Sequence, residues 1–223
     1  MNSTVRMGVL FTIGSFCFML GSFAPYYEHL DVTVVAVTFF VGSIFFTSAA
    51  TLQERASRAP GTPMWSRDPS RLGWWSASTQ WIGTFAFNLS TFWAIAQGLS
   101  ATQEKRLVWS PDAVGSVLFL VSGFAGIAAV YVVAATRRDR GMAVLNLLGS
   151  IFFGISAVGA YVIPDTGDLY NLRWANSGTF LGGVCFFAAS IWLARPPAAP
   201  DPAISPGPPA GTSTTGPPGA GAP

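Results

Sequence analysis

Few residues in this chain are of types that do chemistry. The single histidine, His29, stands beside Glu28 and Asp31. A zinc site would need three or four converging ligands. A short polar stretch between two long apolar runs reads instead as a solvated loop. With no second imidazole, no Ser-His-Asp set can be assembled elsewhere. Cys17 and Cys185 each lie inside an apolar run with no Cys or His nearby, so they read as small packing residues. The apolar runs hold no HExxH, no paired Asp and no Lys or Arg, the groups on which intramembrane hydrolysis or proton pumping depends. The expectation is therefore no catalytic residues, no metal and no cofactor.

The remaining polar candidates are amides and acids. Gln80, Asn88, Asn146 and Asn176 fall inside apolar runs, and Asn88 sits deepest. An amide at that depth must find a partner. It reads as an interhelical hydrogen bond, with a solute pathway as the sharper alternative. Glu28, Asp31, Glu104, Asp112, Asp165 and Asp168 fall on one side of the predicted topology. Cation recruitment is one reading of them and helix capping the preferred one. Asp31 precedes one run, Ser110-Pro111-Asp112 has the cap, proline and acid of a helix start, and Asp168 or Asn171 could cap the last run.

The elements that carry these residues are set by composition. Of 223 residues only 10% are charged and 51% are hydrophobic, with mean hydropathy +0.46. About a quarter of a soluble domain is charged. The apolar runs approach the ~20 residues that span the hydrocarbon. The expected class is all-α and polytopic, six transmembrane helices paired as three antiparallel hairpins. Spans are expected over 7–24, 32–52, 74–98, 110–136, 142–163 and 174–194. The first is too long for a signal-peptide core and aligns with 142–159, so it reads as a span.

The organisation follows. Residues 1–52 form an N-terminal hairpin, 53–72 a cytoplasmic loop, 73–136 a middle hairpin and 141–194 a C-terminal hairpin, with a further loop over 99–110. Residues 195–223 hold 10 of the 16 prolines and almost no charge, so they read as a disordered tail. Nine basic residues (the arginines at 6, 55, 58, 67, 71, 137, 138, 140 and 195) fall on one side, against Lys105, Arg106 and Arg173 on the other. The positive side is cytoplasmic, which puts both termini inside. No basic patch suits a nucleic acid. The partners expected are the lipid bilayer and either a second copy or another membrane protein.

One pattern recurs in every run: aliphatic, Gly, small, two mostly apolar residues, then an aromatic. Leu148-Gly149-Ser150-Ile151-Phe152-Phe153 and Val41-Gly42-Ser43-Ile44-Phe45-Phe46 are nearly identical. Looser copies centre on Gly14-Ser15, Gly83-Thr84, Gly115-Ser116 and Gly182-Gly183. Gly42, Ser43, Gly149 and Ser150 are thus packing candidates. Gly178 with Gly182 forms a GxxxG pair, and Ser150 with Gly154 and Ser122 with Gly126 make similar small-residue faces for helix contact or dimerisation. Residues 13–26 match 148–161 and 40–52 match 180–192, a parallel hairpin repeat; the middle hairpin fits it more weakly.

The Val41–Phe46 motif, and the hairpin from Asn146 through Trp174-Ala175-Asn176 to Gly182-Gly183, resemble the YrhK-like domain, a two-span membrane module of bacterial proteins. Gly183 stands where the family usually has Ser. The resemblance implies a bacterial plasma-membrane protein and brings no catalytic or binding residues with it. Together these readings describe a non-catalytic structural, sensory or interaction component. A small-solute or ion transporter or channel, with Asn88 on its path, is the alternative.

Overall fold

The computed structural model describes residues 2–58, 71–132 and 135–195. Residues 196–223 of the expected tail and residues 59–70 of the expected 53–72 loop, Arg67 included, lie outside these residues. The described elements are α1 (Ser3–Gly21), α2 (Ala24–Tyr27), α3 (Val32–Ser57), α4 (Leu72–Trp93), α5 (Ala101–Glu104), a π-helical turn (Lys105–Trp109), α6 (Ser110–Val132), α7 (Arg137–Gly159) and α8 (Leu172–Ala194). No strand is present among them; one isolated bridge joins Val162 to Leu169.

Caps fix most helix starts. The Asp31 carboxylate accepts the Thr33 amide at 2.8 Å, which holds its pKa below the usual value. Asn171 caps α8 through the Trp174 amide at 3.1 Å, and Thr136 with Asp139 forms a capping box on α7.

The expected start at Ser110 is overturned. The helix begins nine residues earlier, where Ser100 and Gln103 form a capping box, so residues 101–109 are helical and not a loop. Pro111 has no amide hydrogen to continue the ladder. The turn before it widens, and the Ser110 N–H reaches back five residues to the Lys105 carbonyl. Asp112 therefore sits inside a continuous helix and caps nothing. Two spans also end early. α4 stops at Trp93 and α7 at Gly159, after which residues 160–171 fold into a short β-bridged loop.

Each long helix packs against two others. α1 pairs with α3, α4 with α6 and α7 with α8; α3 also meets α4, α6 meets α7, and α8 returns to α1. Three antiparallel hairpins thus close into a ring of six helices. Five helical stretches are long and apolar enough to cross a membrane: α1, α3, the α5–α6 unit, α7 and α8. α4 has sufficient length and no charged residue but too many polar ones. It buries them: Ser78, Thr79, Gln80, Thr84, Ser90 and Thr91 face the bundle, while Ile82, Phe85, Leu89 and Phe92 face outward. Among the described residues, the outer surface of the ring is apolar along most of its length, with Phe16, Ile44, Val117, Phe124 and Val158 all exposed.

Candidate functional site

The recurring pattern has a geometric meaning. At 100° per residue, Gly and the aromatic four positions later share one helix face, while the small residue between them lies about a quarter-turn away. Within each hairpin the glycine of one helix receives the aromatic of the other, reciprocally. A Cβ on Gly149 would stand 2.8 Å from the Phe186 ring, and Gly182 is crowded in turn by Phe153. Gly83 faces Phe119 at 2.9 Å and Gly115 faces Phe87 at 2.9 Å; Gly14 faces Phe46 at 3.0 Å and Gly42 faces Phe18 at 3.5 Å. The middle hairpin, weakest in sequence, obeys the same rule.

At two of the three seams a small residue bonds the next hairpin. Ser43 and Thr91 share a 3.0 Å hydrogen bond between α3 and α4, and the Ser116 hydroxyl donates to the Phe153 carbonyl at 3.3 Å between α6 and α7. At the third seam a Cβ on residue 183 would meet Met19 at 2.8 Å, so glycine replaces serine there for want of room.

All six aromatics meet on the axis. Phe18, Phe46, Phe87, Phe119, Phe153 and Phe186 are between 1% and 7% exposed. They join within hairpins, as in Phe87–Phe119 at 5.0 Å and Phe153–Phe186 at 5.2 Å. They also join across them, as in Phe46–Phe186 at 5.4 Å and Phe18–Phe153 at 5.7 Å. Each such edge-on or tilted contact contributes roughly 0.5–1.5 kcal/mol beyond its buried area. The rings plug the middle of the bundle.

A chamber lies on either side of the plug. One lies toward the end of the ring that carries Ser3 and Ala194, and so is inner in the expected topology. It measures about 300 Å³ and is walled by Gln53, Ser76, Gln80, Asn146 and Ser190 above the Phe186 ring. The outer one, about 250 Å³, rests on Phe18. Val162, 1% exposed, and Leu169 roof it, tucked in by the loop after α7. Its polar wall includes Asp112, Asn176, Thr179, Ser156, Ser90, Thr91 and Glu104. Beneath it a void of about 20 Å³, enough for one water, lies among Asp112, Ser116, Ser156 and Thr179.

The candidates read from sequence take their places around this axis. Asn88 lines neither chamber; its Oδ1 accepts the Thr47 hydroxyl at 3.1 Å across the α3–α4 seam. Gly178 approaches the Phe152 carbonyl and the Ser156 amide of α7, so the GxxxG face is used within the chain. Gly154 meets Leu120, and Ser122 bonds the Ser76 carbonyl at 2.8 Å. The Ser150 hydroxyl turns back to the Asn146 carbonyl at 2.8 Å. His29 bonds the Pro25 carbonyl at 3.0 Å in its exposed loop, and no group of three or more His, Cys, Asp or Glu gathers among the described residues. Sequence reading missed Asp112 as a chamber residue. The Ser100-x-x-Gln103 capping-box spacing was the available signal, since it starts a helix ahead of Pro111. A proline inside a helix predicts a local break in the ladder that re-aims nearby side chains.

No family model, no curated protein and no solved structure matches this chain.

Proposed function

We propose that the chain is a six-span bacterial plasma-membrane protein with both termini in the cytoplasm, acting without catalysis as a structural, sensory or interaction component. The six-phenylalanine plug is the observation that carries this reading. A transporter of water-soluble solutes needs a polar route through its middle, and the middle here is filled by packed rings. The sixth span in this reading is α4, most of whose polar side chains turn into the ring, leaving lipid an apolar face. The described basic residues Arg6, Arg55, Arg58, Arg71, Arg137, Arg138, Arg140 and Arg195 cluster at one end of the ring, which supports the orientation. Arg138 there bonds the Trp192 and Arg195 carbonyls at the end of α8. The YrhK-like motif supports the bacterial assignment.

The two chambers favour the alternative, a transporter or channel whose plug opens. Purified protein in proteoliposomes separates the two readings: no flux of small ions or neutral solutes above empty vesicles is expected. Saturable flux would establish the transporter. Reporters fused after Arg195 and inserted near residue 168 should be active inside and outside respectively; reversed activity would overturn the orientation.

A further inference from the structure

We propose that the outer chamber is a binding site for a small organic cation, an amine in its ammonium form, with Asp112 as counter-charge.

The argument starts from a carboxylate that the fold leaves without a partner. Asp112 is half-buried, and both the chamber and the void below it reach its side chain. Among the described residues it makes no hydrogen bond and no ion pair; the ion pair found there joins Arg58 to Glu54 at the opposite end of the ring. A carboxylate held among apolar helices is costly as an ion unless a cation or water reaches it. It caps no helix, so the helix dipole does not account for it.

Several of the donors around it are committed elsewhere. Ser156 gives its proton to the Ala175 carbonyl at 2.7 Å, Thr179 to the same carbonyl at 3.0 Å and Thr91 to the Phe87 carbonyl at 2.7 Å. The Trp109 indole donates to the Ala157 carbonyl at 2.8 Å. Lys105, seven residues back along the helix, is held by the Tyr161 hydroxyl at 2.9 Å and lies over its ring. The Asp112 carboxylate and the lone pairs of the Ser156, Thr179 and Thr91 hydroxyls thus face the space, beside the Ser90 hydroxyl and an Asn176 amide that can turn either end toward it. A carboxylate flanked by such groups favours a cation.

Two features select an organic cation over a metal ion. Among the described residues no third acid, His or Cys joins Asp112 and Glu104 to make a metal-ligand set. The chamber's 250 Å³ and its aromatic surfaces, Phe18, Phe39 and Trp109, suit a cation carrying alkyl groups. The π turn that re-aims α6 lies at this wall, the placement typical of such turns at ligand sites.

Calorimetric titration of the purified protein with ethylammonium, tetramethylammonium and choline chlorides tests this, with sodium chloride and neutral 1-propanol as controls. At least one ammonium should bind saturably, neither control should, and Asp112→Asn should weaken binding at least tenfold. Asn removes the charge at constant shape, so the variant should fold. If it does not, Asn176→Leu, which fills the chamber from α8, should cause a comparable loss. Absence of saturable binding by all three ammoniums, equal binding of sodium, or binding unchanged in whichever variant folds would overturn the proposal. None of these outcomes bears on whether the plug conducts.

Discussion

The hydroxyls of Thr12 and Ser190 stand 2.8 Å apart although 178 residues separate them in the chain. Thr12 lies on α1 and Ser190 on α8, so this contact fastens the first helix to the last. It sits in the seam where Gly8 also meets the Ala194 backbone and Gly183 meets Met19. Without that seam the three hairpins would form an open row, and the six phenylalanines would have no common axis.

The plug should dominate stability. Phe119 is 1% exposed and touches Phe46, Phe87, Phe153 and Phe186. Phe119→Ala leaves a cavity there and should cost about 3 kcal/mol. Phe124→Ala, one turn on and 61% exposed, should cost less than about 0.5 kcal/mol. Thermal unfolding in detergent, followed by helix content, compares them; equal losses would contradict a packed centre.

Glycine at the pattern's second position is a question of space. Gly115→Ala would bring a Cβ to 2.9 Å from the Phe87 ring and 3.1 Å from the Gly83 carbonyl, and should destabilise by about 1–3 kcal/mol. Gly73→Ala meets nothing within 4 Å and should be neutral or stabilising by up to ~1 kcal/mol. A melting-temperature series resolves the sign of each. Equal shifts would mean that the hairpins are not in close backbone contact.

Asn88 should behave as a seam residue. Asn88→Leu removes the bond from Thr47 and should cost about 0.6–2 kcal/mol while leaving proteoliposome flux unchanged. Altered flux with intact stability would place Asn88 on a pathway after all.

What the sequence made legible was whatever a single helix or hairpin carries by itself. The Gly-small-x-x-aromatic pattern, the Asp31 and Asn171 caps and the pairing of neighbouring runs are local features of this kind. The meeting of all six aromatics depends on which faces of separate hairpins come together, and one helix's periodicity does not encode that. Ser110-Pro111-Asp112 misled because the same three residues that begin a helix can also sit inside one, provided a wider turn absorbs the missing amide hydrogen. Asp112 was assigned to capping for that reason, and the chamber beside it was lost from view. α4 shows the converse limit, since hydropathy sums over both faces while its polar residues lie on the inward one.

Closure of the ring is the claim on which the plug and both chambers depend, and cysteine cross-linking tests it most directly. Thr12→Cys and Ser190→Cys would be introduced together in a background with Cys17→Ala and Cys185→Ala, since both native cysteines are free. Mild oxidation in membranes should yield an intramolecular disulfide in most of the protein, seen as a faster-migrating monomer band that reverts on reduction. Each single variant should give no such band. Failure of the pair to cross-link in folded protein, or a disulfide formed solely between two copies, would contradict the closed ring.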